Sequence, residues 1–115
     1  MVVEERIYTL HHGKVPEYLT LYSQEGRDIQ LRILGCNVGY YNVDIGPQNT
    51  IVHLWAYSSL TERERRRSEL TQNPEWQAYL LKIRHLILRQ EARILRPAGF
   101  FADWVSIQLE QSHVV

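Results

Sequence analysis

The 115 residues hold one cysteine, one methionine and two phenylalanines. A lone thiol, Cys36, cannot close an intrachain disulfide, so the fold has no covalent framework and Cys36 reads as a reduced structural thiol beside a strand. Net charge is lacking as well: 13 lysines and arginines meet 13 aspartates and glutamates, for a formal charge of zero. A chain without a basic excess has no electrostatic footprint for nucleic acid or an anionic membrane, and a neutral surface permits self-association. No apolar run approaches the ~18 residues of a membrane span. The chain turns charged directly after Met1, at Glu4, Glu5 and Arg6, which is not the pattern of a secretory leader; a cytoplasmic location is the expectation. Phosphate loops, dinucleotide fingerprints, nucleophile–base pairs and metal-ligand spacings are missing too. The adjacent His11 and His12 diverge in a turn, with no Cys or carboxylate placed to complete a site, so no metal and no cofactor is expected.

What remains reads as one small domain. Val2 to Leu10 is rich in β-formers and predicts a strand, with Arg6 expected in a cross-strand ion pair. Lys14 to Leu34 predicts a helix: Pro16 suits its first turn, Val15, Tyr18, Leu19, Tyr22, Gly26, Ile29 and Ile33 form an apolar stripe, and Gly35 stops it. Gly26 interrupts the stripe, which implies either a bend or a close approach that leaves room for a ligand or a partner backbone. Cys36 to Asp44 and Asn49 to Tyr57 predict a hairpin around Ile45-Gly46-Pro47-Gln48. Ser59-Leu60-Thr61-Glu62 matches a capping box and opens a helix through Leu70. Its arginines at 63, 65, 66 and 67 alternate with Glu62, Glu64 and Glu69 and read as self-paired surface. Asn73-Pro74 restarts the helix, and Trp76, Tyr79, Leu80, Ile83 and Leu86 stripe it. Leu86 to Arg96 is a fourth strand, charged enough to be an edge or a face closed by a second subunit. Pro97 closes the domain, residues 1–97. A tail, residues 98–115, carries Phe100, Phe101 and Trp104 as anchors, with Val105, Ile107 and Leu109 alternating like a short strand; it is expected to dock on its own subunit or on a partner.

The third strand is the candidate site. Alternate residues share a face, so His53, Trp55 and Tyr57 face one way and Val52, Leu54 and Ala56 the other. In the hairpin register Tyr40 falls opposite His53, and Val38 opposite Trp55. Tyr8, Tyr40, His53 and Trp55 are the candidate ligand-binding residues. His53 is either a general base, its unperturbed pKa lying near neutrality, or a buried histidine bonded to a tyrosine or carboxylate. Tyr8 and Tyr40 are placed to donate to an enolate or carbonyl oxygen.

The element order β-α-β-β-α-β is the ferredoxin-like split βαβ plan, an α+β fold. Right-handed crossovers give strand order 4-1-3-2 with both helices on one face. The other face would be left bare with too much apolar surface for water, and two such sheets can meet as a homodimer, a dimeric α+β barrel. The opening E-E-R-I-Y-T-L-H-H-G-K-V-P-E-Y-L and the block V-H-L-W-A-Y-S-S-L-T-E-R-E-R-R-R-S-E-L, followed by P-E-W, resemble the NIPSNAP family, whose members open with R-x-Y-x-L, then a glycine and a helix. The resemblance covers roughly Met1 to Ala98. It implies the dimeric α+β barrel and a homodimer, and it brings no settled activity and no catalytic residues. Three functions stay open: a homodimer binding a small apolar or aromatic molecule between sheet and helices, a cofactor-independent monooxygenase or isomerase with His53 as base, and a scaffolding dimer that docks through Thr61 to Leu70.

Overall fold

The computed structural model describes residues 1–112. Its elements run β1 (Val2–Leu10), α1 (Val15–Leu21), a π-helical turn (Tyr22–Gly26), α2 (Arg27–Leu34), β2 (Cys36–Asn42), β3 (Thr50–Tyr57), α3 (Leu60–Gln72), α4 (Pro74–Ile83), a 3-10 turn (Arg84–Leu86), β4 (Ile87–Leu95), a second 3-10 turn (Gly99–Phe101) and α5 (Ala102–Ser112). The sheet is antiparallel in the order β2-β3-β1-β4, the ferredoxin-like α+β arrangement that the pattern of strands and helices predicts. Among the described residues no helix is long and apolar enough to cross a membrane.

The local signals act where the sequence places them. Gly35 closes α2 at φ 91°, a left-handed backbone that suits glycine. Asn73 caps α4 by accepting from the Trp76 amide at 2.9 Å. Ser59 caps α3 by accepting from the Glu62 amide at 3.1 Å. Only that half of the capping box forms, because the Glu62 carboxylate is held by Arg65 at 2.6 Å and Arg66 at 2.8 Å instead. These two bonds keep its pKa well down, at about 2.

The core lies between the sheet and α1 to α4. Val2, Tyr8, Leu10, Ile51, Trp55 and Tyr57 meet Tyr18, Tyr22, Ile33, Leu34, Leu70, Tyr79 and Ile83 there. Gly26 packs against Tyr79: a Cβ at Gly26 would lie 2.7 Å from the Tyr79 ring. The room left by this glycine is therefore taken by a side chain of α4, and the helix changes pitch at the same point.

Three sequence expectations are corrected. Val38 does not face Trp55; a bulge sets Asn37 opposite Trp55 and Gly39 opposite Leu54, while Tyr40 does face His53. The Asn37 amide stabilises the bulge by donating to the carbonyls of Gly39 and Leu54, both at 2.9 Å. Arg6 pairs with Glu4 of its own strand at 3.5 Å; the cross-strand ion pair is between Glu5 and Arg93 on the opposite face. The tail is a helix where a short strand was expected. Val105 and Leu109 are one turn apart and turn the same face of α5 to Val3, Cys36, Ala56 and Leu54, whereas Ile107 is 48% exposed. Alternation at 105, 107 and 109 thus hid a four-residue step. The tail docks on its own chain, over β2 and β3 on the sheet face expected to be bare; residues 113–115 lie outside the described residues.

Candidate functional site

Strand pleating delivers the site. On the helix side of the sheet, β3 presents His53, Trp55 and Tyr57, β1 presents Glu4, Arg6 and Tyr8, and β2 adds Tyr40 opposite His53. The structure brings Tyr8, Tyr40, His53 and Trp55 together as packed rings. The imidazole stacks on Tyr40 with centroids 4.7 Å apart, and Tyr40 stacks on Tyr22 of the π-helical turn at 4.5 Å. Tyr8 meets the imidazole edge-on at 4.8 Å. His53 and Trp55 are 1% and 0% exposed.

Hydrogen bonds fix the chemistry of these rings. The Trp55 indole donates to Nδ1 of His53 at 2.7 Å, so the partner is neither the tyrosine nor the carboxylate expected. An indole N–H can only donate. Nδ1 therefore accepts, and the proton of the neutral imidazole sits on Nε2. Burial, then the charges of Arg6 and Arg67, push the His53 pKa down to about 3. The ring is thus neutral near pH 7, with Nε2 an N–H donor in place of a free base. That atom is buried and has no hydrogen-bond partner among the described residues. Tyr18 and Tyr40 share a hydrogen bond at 2.8 Å, Tyr22 donates to Gln30 at 2.6 Å, and Tyr8 accepts from Arg6 Nε at 3.2 Å. Burial holds the phenols of Tyr18, Tyr22, Tyr40 and Tyr79 above their ordinary range. The group offers neutral donors, suited to holding an oxyanion and poorly suited to taking a proton.

Beside these rings lies a charged patch. Glu4 is fully buried, and its Oε2 accepts from Arg63 Nε at 3.1 Å and from a second Arg63 nitrogen at 2.6 Å. The arginine run of α3 therefore divides. Arg65 and Arg66 pair on the helix as expected, while Arg63 crosses to β1. Arg67, four residues on and on the same helix face, has no hydrogen-bond or ion-pair partner for its side chain among the described residues. Burial, and then Arg6, lower its pKa.

The opposite sheet face holds a cavity of about 480 Å³ lined by Val3, Val38, Leu54, Leu95, Phe101 and Trp104, with Arg96 beside them. Among the described residues no group of three or more His, Cys, Asp or Glu side chains is placed to hold a metal ion.

The NIPSNAP family profile matches residues 3–102. The chain belongs to the NIPSNAP family. A NIPSNAP family protein of Agrobacterium tumefaciens is 47% identical, with a TM-score of 0.86 over 87% of this chain and 90% of that one. A NipSnap homolog of Dictyostelium discoideum is 37% identical over 60 residues, 52% of this chain and 27% of that protein. The chain thus spans about a quarter of the length of that relative. An antibiotic biosynthesis monooxygenase, at 11% identity and a TM-score of 0.59 over 86% of this chain and 100% of that one, shares the fold.

Around the four candidate ligand-binding residues the structure places others that the sequence reading did not count among them. Glu4 and Tyr57 share the helix-side face with Tyr8 and His53 by simple alternation, and Arg63 and Arg67 are one turn apart. Those two spacings together were the available signal, and the interleaved glutamates of α3 masked it.

Proposed function

We propose that this NIPSNAP protein works as a homodimer, its two sheets closing face to face, and that it binds a small, largely apolar or aromatic molecule between the sheet and α5, on the face opposite the one where the sequence places the ligand-binding candidates. The cavity between the open sheet face and α5 carries the reading. At about 480 Å³ it falls within the roughly 300–1,000 Å³ of small-molecule pockets, and its lining is mostly aliphatic and aromatic with one guanidinium nearby. Around it, Phe100, Phe101, Trp104 and Ile107 are 95%, 49%, 45% and 48% exposed, which is apolar surface that a second copy would cover. A single buried cysteine suits a reducing compartment, and we place the protein in the cytoplasm. Native mass spectrometry and sedimentation of the purified protein test both parts. A dimer carrying an extra small mass is expected, and Trp104→Glu is expected to shift it towards monomer. A monomer at tens of micromolar with no bound mass refutes the reading.

The unpartnered Nε2 of His53 favours a second reading, proton-transfer chemistry of the isomerase or cofactor-independent monooxygenase kind on the helix side. Tyr8, Tyr40, His53 and Trp55 would surround the substrate. His53, a candidate general base on sequence grounds, would instead donate from Nε2 to the developing enolate oxygen. His53→Gln keeps an acceptor for Trp55 and should lower turnover of any accepted substrate; unchanged turnover rules out this role.

A further inference from the structure

We infer that the ground between α3 and β4 on the helix side of the sheet is an anion site, in which Arg67 and Arg6 hold the carboxylate of a small apolar monocarboxylic acid. The site is separate from the cavity beneath α5, on the other face of the sheet, so it stands or falls independently of that reading; it shares His53 Nε2 with the oxyanion reading, and binding of benzoate without any turnover tells the two apart.

Charge accounting comes first. Arg6, Arg63 and Arg67 share this ground. Their carboxylates are Glu4, which pairs with Arg6 and Arg63, and Glu64, which pairs with Arg63. Three cations against two anions leave one positive charge over, and it resides at Arg67, half-buried and unpaired among the described residues. A monoanion balances that surplus, and a water molecule does not. A partly buried, uncompensated cation carries a share of the cost of a buried charge, which an anion would relieve.

The donors come next. Two further side chains of this face are 1% exposed, and each has a polar atom without a partner: the Tyr57 hydroxyl and His53 Nε2. Tyr57 lies within electrostatic reach of Glu4, Arg67, Arg63 and Arg6, and His53 of Arg6 and Arg67. An O–H, an N–H and guanidiniums are the kinds of donor that a carboxylate takes up, and Arg6 and Arg67 are the charges within reach of both Tyr57 and His53. The second Glu4 oxygen is also unpartnered.

Ala92 stands opposite Arg6 and Ile94 opposite Glu4 in the β1–β4 ladder. Both are exposed, Ile94 at 42%, so an apolar strip runs from the arginines to solvent. A small acid can seat its carboxylate on Arg67 and lay its hydrocarbon along this strip.

Sodium benzoate, with benzamide as the neutral isostere, titrated at constant ionic strength into 15N-labelled protein, tests the site. Benzoate is expected to move the Trp55 indole signal, which reports on the His53 bond, and the Tyr57 amide saturably; benzamide is expected to leave them in place. Arg67→Gln should weaken benzoate at least tenfold and be at least as heat-stable as the wild type without it. Arg65→Gln, which removes a surface-paired arginine of the same helix, should bind as the wild type does. Equal responses to benzoate and benzamide overturn the inference, as does unchanged affinity in Arg67→Gln. A response confined to the Trp104 indole, beside the other cavity, overturns it as well. So does an Arg67→Gln protein less stable than the wild type, which would mark Arg67 as a structural partner of Glu4 through a bridging water.

Discussion

Replacing Gly26 by alanine tests the packing of the helical layer at its tightest point. The added Cβ would lie 2.7, 2.8 and 3.0 Å from three carbons of the Tyr79 ring. Carbon atoms prefer roughly 3.5–4.0 Å, so the ring has to withdraw by about 1 Å. It has little freedom to do so, being 2% exposed with Trp76 at 5.0 Å and Tyr22 at 6.3 Å, centroid to centroid. Overpacking of this kind costs about 1–3 kcal/mol, against a gain of up to about 1 kcal/mol from exchanging glycine for alanine in a helix. A net loss of about 1–2 kcal/mol is expected, several degrees in Tm at roughly 4–8 °C per kcal/mol. Urea unfolding of Gly26→Ala measures it. The same substitution in a Tyr79→Leu background isolates the cause, since leucine lacks the colliding ring atoms. There, alanine should be neutral or stabilising. If Gly26→Ala has equal effects in the two backgrounds, or stabilises the otherwise wild-type protein, the contact is not what holds this glycine in place.

Two further outcomes follow from the described geometry. His53 is held neutral in the folded state, with its pKa lowered from 6.5 to about 3, so the unfolded chain binds the extra proton between those values. Its share of stability is whole above about pH 6.5 and is lost as pH falls towards 3, at up to about 1.4 kcal/mol per pH unit. Urea midpoints at falling pH should therefore drop more steeply for the wild type than for His53→Gln, and parallel curves would refute the buried neutral imidazole. Val105→Asp sets a carboxylate against Val3, Ala56 and Cys36 and should lift α5 while leaving the core beneath the other helices intact. The Cys36 thiol, 4% exposed, should then react with a disulfide reagent at least about tenfold faster, the effect of ~1.4 kcal/mol lost from closure. An unchanged rate would mean that α5 is not the cover.

Much of this fold was legible because it follows from local chemistry. The caps at Ser59 and Asn73, the stop at Gly35 and the apolar stripes each depend on a few neighbouring residues, and the order β-α-β-β-α-β then leaves one right-handed strand arrangement. The ring cluster was legible for the same reason, since alternation fixes the face of His53 and Trp55 and hairpin counting reaches Tyr40. The rest depends on side chains choosing between partners. Asn37 sets a bulge by replacing a ladder bond with its own amide, which no alternation displays. Trp55 donates to an imidazole two residues away, and that sets the tautomer on which the role of His53 turns. Arg63 reaches across to a buried carboxylate on β1 while still pairing with Glu64 beside it on α3, and Arg67 lies one turn further along the same helix face.

The charges of β4 bear on how copies of this protein can meet. Arg89, Glu91 and Arg93 stand at alternate positions of the strand Ile87–Leu95, whose midpoint is Glu91. Two copies joining edge to edge, antiparallel and with full overlap, would set Arg89 against Arg93 and Glu91 against its own counterpart. Every charged pair in that alignment is like-signed, and like charges directly opposite destabilise a ladder. A slip of two residues restores opposite signs but shortens the pairing. The fullest edge-to-edge alignment is thus the most repelled, which guards the rim against fibre-like stacking and leaves the broad face of the sheet as the easier way for two copies to associate.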